Sequence, residues 1–281
     1  MALLGVHTSV AGGLELAFDR GESLGCEAIQ IFTRNQLQWH GAEISLAESE
    51  GFFRRWRKSS IREVFAHASY LLNLAGAREL RAKSVDALVR EIRRCDALGI
   101  NLLVLHPGSP RGEKNEGEGL ELLGDALQQV LGATEESRVR LLLETMAGSG
   151  NTLGGNLEHF AAVLDLLEDH PRIGVCLDTC HLLAAGYEFR TPATYEHLMR
   201  AVGKAVGTDR VGCWHLNDSL TPRGSRRDRH THVGEGEIGT APFGFVLQDD
   251  RWKDTPCILE TPKDGPGDGG NLAVLRKMAG G

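Results

Sequence analysis

Short apolar runs rich in leucine and β-branched residues alternate with amphipathic stretches along the whole chain, and no other feature restricts the possible fold as strongly. Eight of these runs have the length and composition of buried strands, and they cover residues 3–7, 28–33, 63–68, 102–106, 139–145, 173–178, 211–217 and 257–261. Between them, apolar residues recur at helical spacing, for example at Val85, Leu88, Val89, Ile92 and Cys95. This alternation is typical of strand–helix units arranged around a parallel sheet.

The size and spacing of these units distinguish between two parallel-sheet architectures. In a chain of 281 residues, eight units of roughly 35 residues match a (β/α)₈ TIM barrel, which takes about 250 residues. An open doubly wound sheet would need a glycine-rich G-x-G-x-x-G loop after its first strand, whereas residues 7–13 read HTSVAGG. No linker rich in proline or serine divides the chain. The sequence therefore predicts an α/β fold with one (β/α)₈ barrel domain over residues 1–281, with its functional loops at the C-terminal rim of the strands.

Composition and charge exclude several classes of protein. The chain is 41% hydrophobic and 25% charged, which is ordinary for a globular protein and excludes disorder. No run approaches the roughly 18 apolar residues that span a bilayer, and the N-terminus lacks a secretory pattern. The six cysteines form no Cys-x-x-Cys pair, so we expect buried thiols, no membrane association and a cytoplasmic location. The net charge of −7 counts against a nucleic-acid partner, because phosphate binding depends on lysine and arginine.

Several of the predicted strands end on a residue that can bind a metal ion. These residues are His67, His106, Glu144, Asp178, His215 and Glu260. In a closed barrel the carboxyl ends of all strands meet at one rim, so these six side chains would face one cavity. A single histidine at a strand end is more often a hydrogen-bonded structural residue, but a carboxylate next to an apolar run is costly to bury without a nearby cation. Six such positions together favour a metal cluster.

Two further pairs of candidate ligands follow these strands. Asp178-x-x-His181 and Asp228-x-His230 each place a second ligand close to the first. Nine ligands are more than one ion can use, because zinc usually takes four in a structural site and three plus water in a catalytic site. We therefore expect two or three ions that share bridging carboxylates. His7 ends the first strand and is expected to touch the site. For four other histidines we expect loop or helix-surface positions, namely His40, His159, His170 and His197.

The segments around these ligands form a recognisable series of motifs. They are HASYLLNLA at 67–75, HPG at 106–108, ETMAG at 144–148, DTCH at 178–181, HLNDS at 215–219, DRH at 228–230, GEGEIG at 234–239 and LETP at 259–262. In this order they resemble the endonuclease IV family of apurinic/apyrimidinic endonucleases, also called AP endonuclease family 2. The resemblance implies a barrel-shaped DNA repair enzyme with three metal ions that hydrolyses the phosphodiester on the 5′ side of an abasic site, with a metal-bound hydroxide as nucleophile, and leaves a 3′-hydroxyl.

The resemblance also implies how the ligands divide among the ions, which are usually zinc, with Mn²⁺ as an alternative at one or more sites. The three implied ligand sets are His67, His106 and Glu144; Glu144, Asp178, His215 and Glu260; and His181, Asp228 and His230. Glu144 would bridge two ions, and Glu144 and Glu260 are the implied catalytic residues that orient the hydroxide. A hydroxide is available at neutral pH because metal coordination lowers the pKa of water from 15.7 to about 7.

Aromatic, apolar and basic residues near the predicted ligands are candidates for contact with DNA. Tyr70 matches the tyrosine that the family inserts at the lesion. Leu37 stands where the family commonly has an arginine, and an apolar side chain can also occupy unstacked space. The candidates for phosphate contact are Arg34, Arg226, Arg227 and Arg229. Three divalent ions would neutralise most of the negative charge, so the expected partner is double-stranded DNA with an abasic site, bound by a monomer.

Two other classes of function are compatible with part of this pattern. A sugar isomerase or epimerase of the xylose-isomerase-like barrels also places carboxylates and histidines around one or two divalent ions. It leaves the pair Asp228-x-His230 and the neighbouring arginines without a role. A non-catalytic metal-storage or DNA-binding scaffold would not require ligand sets with open coordination positions. The nuclease is therefore the favoured hypothesis and the isomerase its main alternative.

Overall fold

The computed structural model describes residues 1–110 and 115–280, and within them eight parallel strands close into a barrel. In chain order the strands of the described residues, including two short ones outside the barrel, are β1 (Leu3–His7), β2 (Ala28–Ile31), β3 (Glu63–His67), β4 (Leu102–Leu105), β5 (Arg140–Glu144), β6 (Ile173–Asp178), β7 (Val211–His215), β8 (Asp218–Ser219), β9 (His230–Thr231) and β10 (Pro256–Leu259). β8 and β9 form a separate antiparallel hairpin, so β10 pairs with both β7 and β1 and closes the ring. The predicted (β/α)₈ barrel is confirmed, and each predicted apolar run overlaps one barrel strand.

Helices connect the strands and cover the outside of the barrel. They are α1 (Leu16–Ser23), α2 (Leu46–Trp56), α3 (Arg78–Leu98), α4 (Glu116–Gly132), α5 (Leu157–Leu166), α6 (Thr179–Ala185), α7 (Pro192–Ala205), α8 (Ala241–Gln248) and α9 (Gly267–Ala279). In α3, Leu88, Ile92 and Cys95 are fully buried, as their helical spacing predicts. Burying one leucine stabilises the fold by about 1.5–3 kcal/mol, so the apolar face of such a helix holds it against the strands.

The barrel strands are buried on both faces, and at one position they approach too closely for any side chain. All six residues of β6 are buried, as expected for a parallel sheet covered by helices. On β1, a Cβ atom added to Gly5 would lie 1.7 Å from the carbonyl oxygen of Ala28 on β2. Glycine is therefore needed at this contact between neighbouring strands.

The junction between β6 and α6 links a strand end directly to a helix start. Asp178 is the last residue of β6 and also the N-cap of α6, and its carboxylate accepts a hydrogen bond from the backbone N–H of His181 at 2.8 Å. A side-chain cap satisfies a backbone donor that the first helical turn would otherwise leave unpaired. The capping bond therefore also fixes two predicted metal ligands next to each other.

Two expectations from composition can be compared with the structure. The six cysteines are buried and form no disulfide in the described part of the chain, which agrees with the prediction of buried thiols. Among residues 1–110 and 115–280, we find no helix whose length and apolar character would let it span a bilayer.

Candidate metal centre

The first predicted ligand set meets at the rim formed by the ends of β3, β4 and β5. Nε2 of His67 lies 3.2 Å from Oε2 of Glu144, and Nε2 of His106 lies 3.1 Å from the same oxygen. The potential ligand atoms of these three residues all lie within 4.8 Å of one another. His67 and Glu144 are buried, whereas the side chain of His106 is 26% exposed. The arrangement has the size of a cation site that opens toward solvent on one side.

The second predicted set shares Glu144 with the first. Nδ1 of His215 lies 2.9 Å from Oε1 of Glu144 and 3.2 Å from Oε2 of Glu260. The potential ligand atoms of these residues and of Asp178 again lie within 4.8 Å of one another. Glu144 therefore directs Oε2 toward one pair of imidazoles and Oε1 toward His215. This is the geometry that a carboxylate needs if it is to bridge two cations.

The third predicted set is assembled from the start of α6 and the β8–β9 hairpin. Nε2 of His181 and Nε2 of His230 lie 3.2 Å and 3.3 Å from the two oxygens of Asp228. Asp178 also reaches this group, with Oδ2 3.6 Å from Nε2 of His230. The thiol of Cys180 lies close by as well, and burial raises the pKa of this thiol to about 12.

Several imidazoles are oriented so that one nitrogen is free for a ligand. A backbone carbonyl oxygen can only accept a hydrogen bond, so Nδ1–H of His67 donates to Ala68 and Nδ1–H of His181 donates to Thr145, each at 2.7 Å. Nε2 of His181 and Nε2 of His230 are buried and face the oxygens of Asp228, but within the described residues neither nitrogen forms a hydrogen bond of good geometry. Buried polar atoms are normally paired, and metal-binding histidines commonly hold their second nitrogen in this way. The residues present therefore fit divalent cations.

Charge in this centre is shared between buried carboxylates and imidazoles. Burial alone would raise the pKa of Glu144, but the imidazoles of His215, His106 and His181 hold that pKa well below its usual range. Burial also opposes protonation of His215, yet Glu260 and Glu144 raise its pKa to about 10. The carboxylates thus require positive charge opposite them. Metal ions can supply this charge in exchange for the protons of their ligands.

Two buried amides hold the ligands in place, and the sequence analysis did not identify them. Asn217 donates a hydrogen bond to Oδ2 of Asp178 at 2.7 Å and accepts one from the backbone N–H of Glu260 at 2.7 Å. Gln30 on β2 contacts His215 and Glu260. A glutamine inside the apolar run 28–33 was the available signal, because a buried amide needs polar partners. His7, expected to touch the site, has Nδ1 3.4 Å from Oε1 of Glu260.

The candidate DNA-contacting residues near the barrel rim differ in exposure. Tyr70 is 52% exposed, and its ring centroid lies 5.5 Å from those of His67 and His106. Leu37 is 71% exposed. Arg34 instead forms an ion pair with Glu91 at 2.8 Å, and both side chains are buried. The structure thus places Arg34 where it supports the loop that carries Leu37, rather than at the surface.

The three arginines near the third ligand set are exposed, as a phosphate contact requires. They are Arg226, Arg227 and Arg229. The segment that carries them is attached to the loops around it, because the backbone N–H of Arg226 donates to the carbonyl oxygen of Ala184 at 2.9 Å. Asp228 lies between these arginines in the sequence, so the loop brings positive charge to the edge of the metal centre.

One histidine lies elsewhere than predicted. His159 was expected in a loop or on a helix surface, but it lies in α5 and is only 6% exposed. Its Nδ1 accepts a hydrogen bond from the backbone N–H of Gly154 at 2.9 Å. This hydrogen bond joins α5 to the loop after β5, and His159 takes no part in the ligand sets described above.

Comparison with known proteins gives relatives over the full length of the chain. Residues 18–278 match a family model described as a xylose isomerase-like TIM barrel. A protein of Chloroflexus aggregans named probable endonuclease 4 is 44% identical over 281 residues, which cover 99% of this chain and 98% of that protein. The crystal structure of endonuclease IV from Thermus thermophilus superimposes with a TM-score of 0.86 at 36% identity, covering 98% of each chain. A D-psicose 3-epimerase from Clostridium cellulolyticum has a TM-score of 0.70 at 16% identity, covering 99% of this chain and 92% of that one, which shows a common fold alone.

Proposed function

We infer that this chain is a DNA repair endonuclease that acts at abasic sites. It belongs to the endonuclease IV family, because it is similar over its full length to proteins named probable endonuclease 4 and to a solved endonuclease IV. It hydrolyses the phosphodiester on the 5′ side of the lesion and leaves a 3′-hydroxyl. The observation that supports this function most strongly is the packing of all nine predicted ligands into contiguous groups at one rim. Its partner is double-stranded DNA, bound by a single copy of the chain, and six buried free thiols suit a reducing compartment such as the cytoplasm.

Three divalent cations, zinc or in part Mn²⁺, are proposed to occupy the three ligand sets. When bound, such ions lower the pKa of a coordinated water to about 7 and neutralise charge that develops on phosphate oxygens. Glu144 and Glu260 are the residues proposed to accept hydrogen bonds from the attacking water and so to orient it toward the phosphorus atom. Both carboxylates are held by His215, and Glu260 also accepts a hydrogen bond from the side-chain amide of Gln30.

The exposed side chains at the rim are proposed to recognise the lesion. An abasic nucleotide leaves a gap in the base stack. Such a nucleotide is easier to extrude from the duplex than a normal one, because its base pair is already lost. Tyr70 and Leu37 lie on neighbouring loops. A hydrogen bond joins these loops, in which the hydroxyl of Ser69 donates to the carbonyl oxygen of Gln36 at 2.5 Å. Both side chains are available to fill the gap. The exposed arginines of the β8–β9 hairpin would then contact the phosphates beside it.

A sugar epimerase is the main alternative, and its likeness to this chain is restricted to the fold. At 16% identity, the shared barrel carries no information about substrate, since one fold supports many functions. An epimerase acting on one or two metal ions also leaves the contact of His181 and His230 with Asp228 unexplained. The nuclease explains this contact and the adjacent arginines together.

The test is incision of a defined duplex by the purified, metal-loaded protein. One strand carries a single tetrahydrofuran residue as a stable abasic analogue, and the matched control duplex carries a normal nucleotide there. We expect cleavage only of the lesion strand, directly 5′ to the analogue, loss of activity with a chelator, and recovery with added Zn²⁺ or Mn²⁺. An intact lesion strand after incubation with metal-replete protein would reject the proposal. Turnover of a ketohexose by the same preparation would favour the epimerase.

A further inference from the structure

Gln30 is a buried polar residue on an otherwise apolar strand of the barrel. It lies on β2 between Ile29 and Ile31, and its exposed fraction is 0%. Burial of an amide is unfavourable unless its donors and acceptor are paired. Every hydrogen bond of this side chain is directed to the metal centre or to the histidine next to it, so the reason for its presence is to be sought there.

The hydrogen bonds of Gln30 define which nitrogen of His215 carries a proton. Oε1 of Gln30 lies 2.8 Å from Nε2 of His215, while Nε2 of Gln30 donates to Oε1 of Glu260 at 2.5 Å and to Nδ1 of His7 at 2.7 Å. The reverse orientation of the amide would place its oxygen against the oxygen of Glu260, which repels it. An amide oxygen only accepts, so Nε2 of His215 is the protonated nitrogen.

The remaining nitrogen of His215 is thereby directed to the second ligand set. Nδ1 lies 2.9 Å from Glu144 and 3.2 Å from Glu260. His67 and His181 have the opposite arrangement, with Nδ1–H fixed by a backbone carbonyl and Nε2 facing the carboxylates. His215 therefore depends on a side chain for an orientation that the other two obtain from the backbone. A substitution can remove that side chain.

We propose that Gln30 is a positioning residue that selects the tautomer of His215 and fixes the carboxylate of Glu260, so that the cation held with Glu144 and Asp178 binds more tightly. This inference rests on the proposed metal-dependent function, but it concerns affinity for one ion and not the reaction itself. Partners that orient a metal-binding histidine typically change metal affinity by about 10- to 100-fold.

The first experiment measures metal retention by Gln30→Met, which keeps the length of the side chain and removes its hydrogen bonds. Each protein is equilibrated with graded concentrations of a zinc chelator, and the bound zinc is counted by elemental analysis. We expect one equivalent of zinc to be released at a free-zinc concentration about 10- to 100-fold higher than in the wild type, with the other equivalents unchanged. The matched control is Gln248→Met on α8, where the amide donates to the carbonyl oxygen of Met278 at 2.6 Å and has no other hydrogen bond among the described residues.

Activity gives a second readout that a purely structural role would not produce. Incision by Gln30→Met should have a reduced kcat at limiting zinc, a KM for DNA like that of the wild type, and recovery of kcat when zinc is raised. Unchanged zinc retention in a folded Gln30→Met protein would overturn the proposal. A third outcome is that zinc retention changes as expected although the wild-type protein does not incise abasic DNA. That result would support the role of Gln30 and reject the proposed function.

A measurement on the wild type answers the same question if Gln30→Met does not fold. In the zinc-loaded protein with ¹⁵N-labelled histidine, NMR distinguishes metal-bound from protonated ring nitrogens. We expect one ring with Nδ1 bound to metal and an Nε2–H proton that exchanges slowly with solvent. Finding that every metal-binding ring uses Nε2 would contradict the assignment.

Discussion

Glu144 connects two of the three ligand sets through its two oxygens. Oε2 faces His67 and His106, and Oε1 faces His215. Because the carboxylate is almost completely buried, water cannot solvate its charge, and neighbouring positive groups must balance it. Oε1 of Glu144 also lies 3.4 Å from Nδ1 of His181, so a change at this carboxylate affects histidines of all three ligand sets.

Replacing Glu144 with glutamine tests this dependence with little change in shape. We expect Glu144→Gln to lose bound zinc and to lower the rate constant of incision by roughly 1000-fold or more, since several kcal/mol of transition-state stabilisation depend on the ions. Elemental analysis and single-turnover incision measure the two effects. Glu158→Gln, an exposed carboxylate at the start of α5, is the matched control. A Glu144→Gln protein with full zinc content and wild-type rate would refute the bridging role.

Tyr70 allows lesion recognition to be separated from metal binding. Its ring packs near His67 and His106 but remains half exposed. Tyr70→Ala should weaken binding of the abasic duplex by about 10- to 100-fold, the range for loss of one aromatic stacking contact, while zinc content stays the same. Binding to the lesion duplex relative to the normal duplex is the measurement. Tyr70→Phe keeps the ring and should bind nearly as the wild type does; equal losses in both variants would contradict a stacking role.

At the scale of elements, the β8–β9 hairpin depends on one buried carboxylate. Asp218 is fully buried and accepts hydrogen bonds from the backbone N–H groups of Gly234, Gly236 and Ile238 at 2.8, 3.1 and 2.9 Å. It thereby ties the loop that follows the hairpin to β8. His230 lies on the opposite strand, paired with Ser219, so the position of a proposed metal ligand depends on this anchor.

Weakening the anchor should affect metal binding as well as stability. In Asp218→Asn an amide N–H₂ replaces one acceptor oxygen, and each lost hydrogen bond to a charged group costs roughly 1.5–3 kcal/mol. We expect a lower Tm and faster chelator-driven release of one zinc equivalent, that of the set containing His230. Asp209→Asn, at an exposed site, is the control. A lower Tm with unchanged zinc release would show that the hairpin anchor and the metal site are independent.

At the scale of the whole molecule, closure of the barrel brings the distant ligands together, and Gly5 permits that closure. Gly5→Ala places a Cβ atom 1.7 Å from a backbone oxygen of β2, which no rotamer change can relieve. We expect a loss of about 3 kcal/mol or more in the free energy of unfolding, measured by urea denaturation. Gly51→Ala is the matched control, because it lies within α2 with no atom near its added methyl group. That variant should gain about 0.5–1 kcal/mol.

Charge is unevenly distributed over the whole molecule. The chain has a net charge of −7, yet three exposed arginines lie beside the proposed centre. Replacing Arg226, Arg227 and Arg229 with alanine should make the dependence of log KM on log salt shallower by about 0.9 for each arginine that contacts a phosphate. Arg54→Ala with Arg57→Ala, at the end of α2 that leads into the start of β3, is the control on the opposite rim. An unchanged salt slope in the triple variant would exclude these contacts.

The sequence by itself determined the barrel and the set of residues at its rim. Apolar runs of strand length, repeated eight times with helical stretches between them, leave few ways to bury their surface. Once the strands are parallel and the barrel is closed, a residue at the carboxyl end of any strand must lie at the same rim. His67 and Glu144 could therefore be assigned to one site from their positions in two separate runs. The motifs then indicated the family.

Only the tertiary structure decided how individual side chains are used. Arg34 and Glu91 lie far apart in the sequence, and no local pattern predicts their buried ion pair. The burial of His159, the two directions of the Glu144 oxygens and the bond from Gln30 to His215 depend likewise on packing between distant segments. The physical reason is that local periodicity determines where strands lie in the chain. A polar side chain, in contrast, finds its hydrogen-bond partner only after the closed barrel has brought polar atoms of remote segments within about 3 Å of one another.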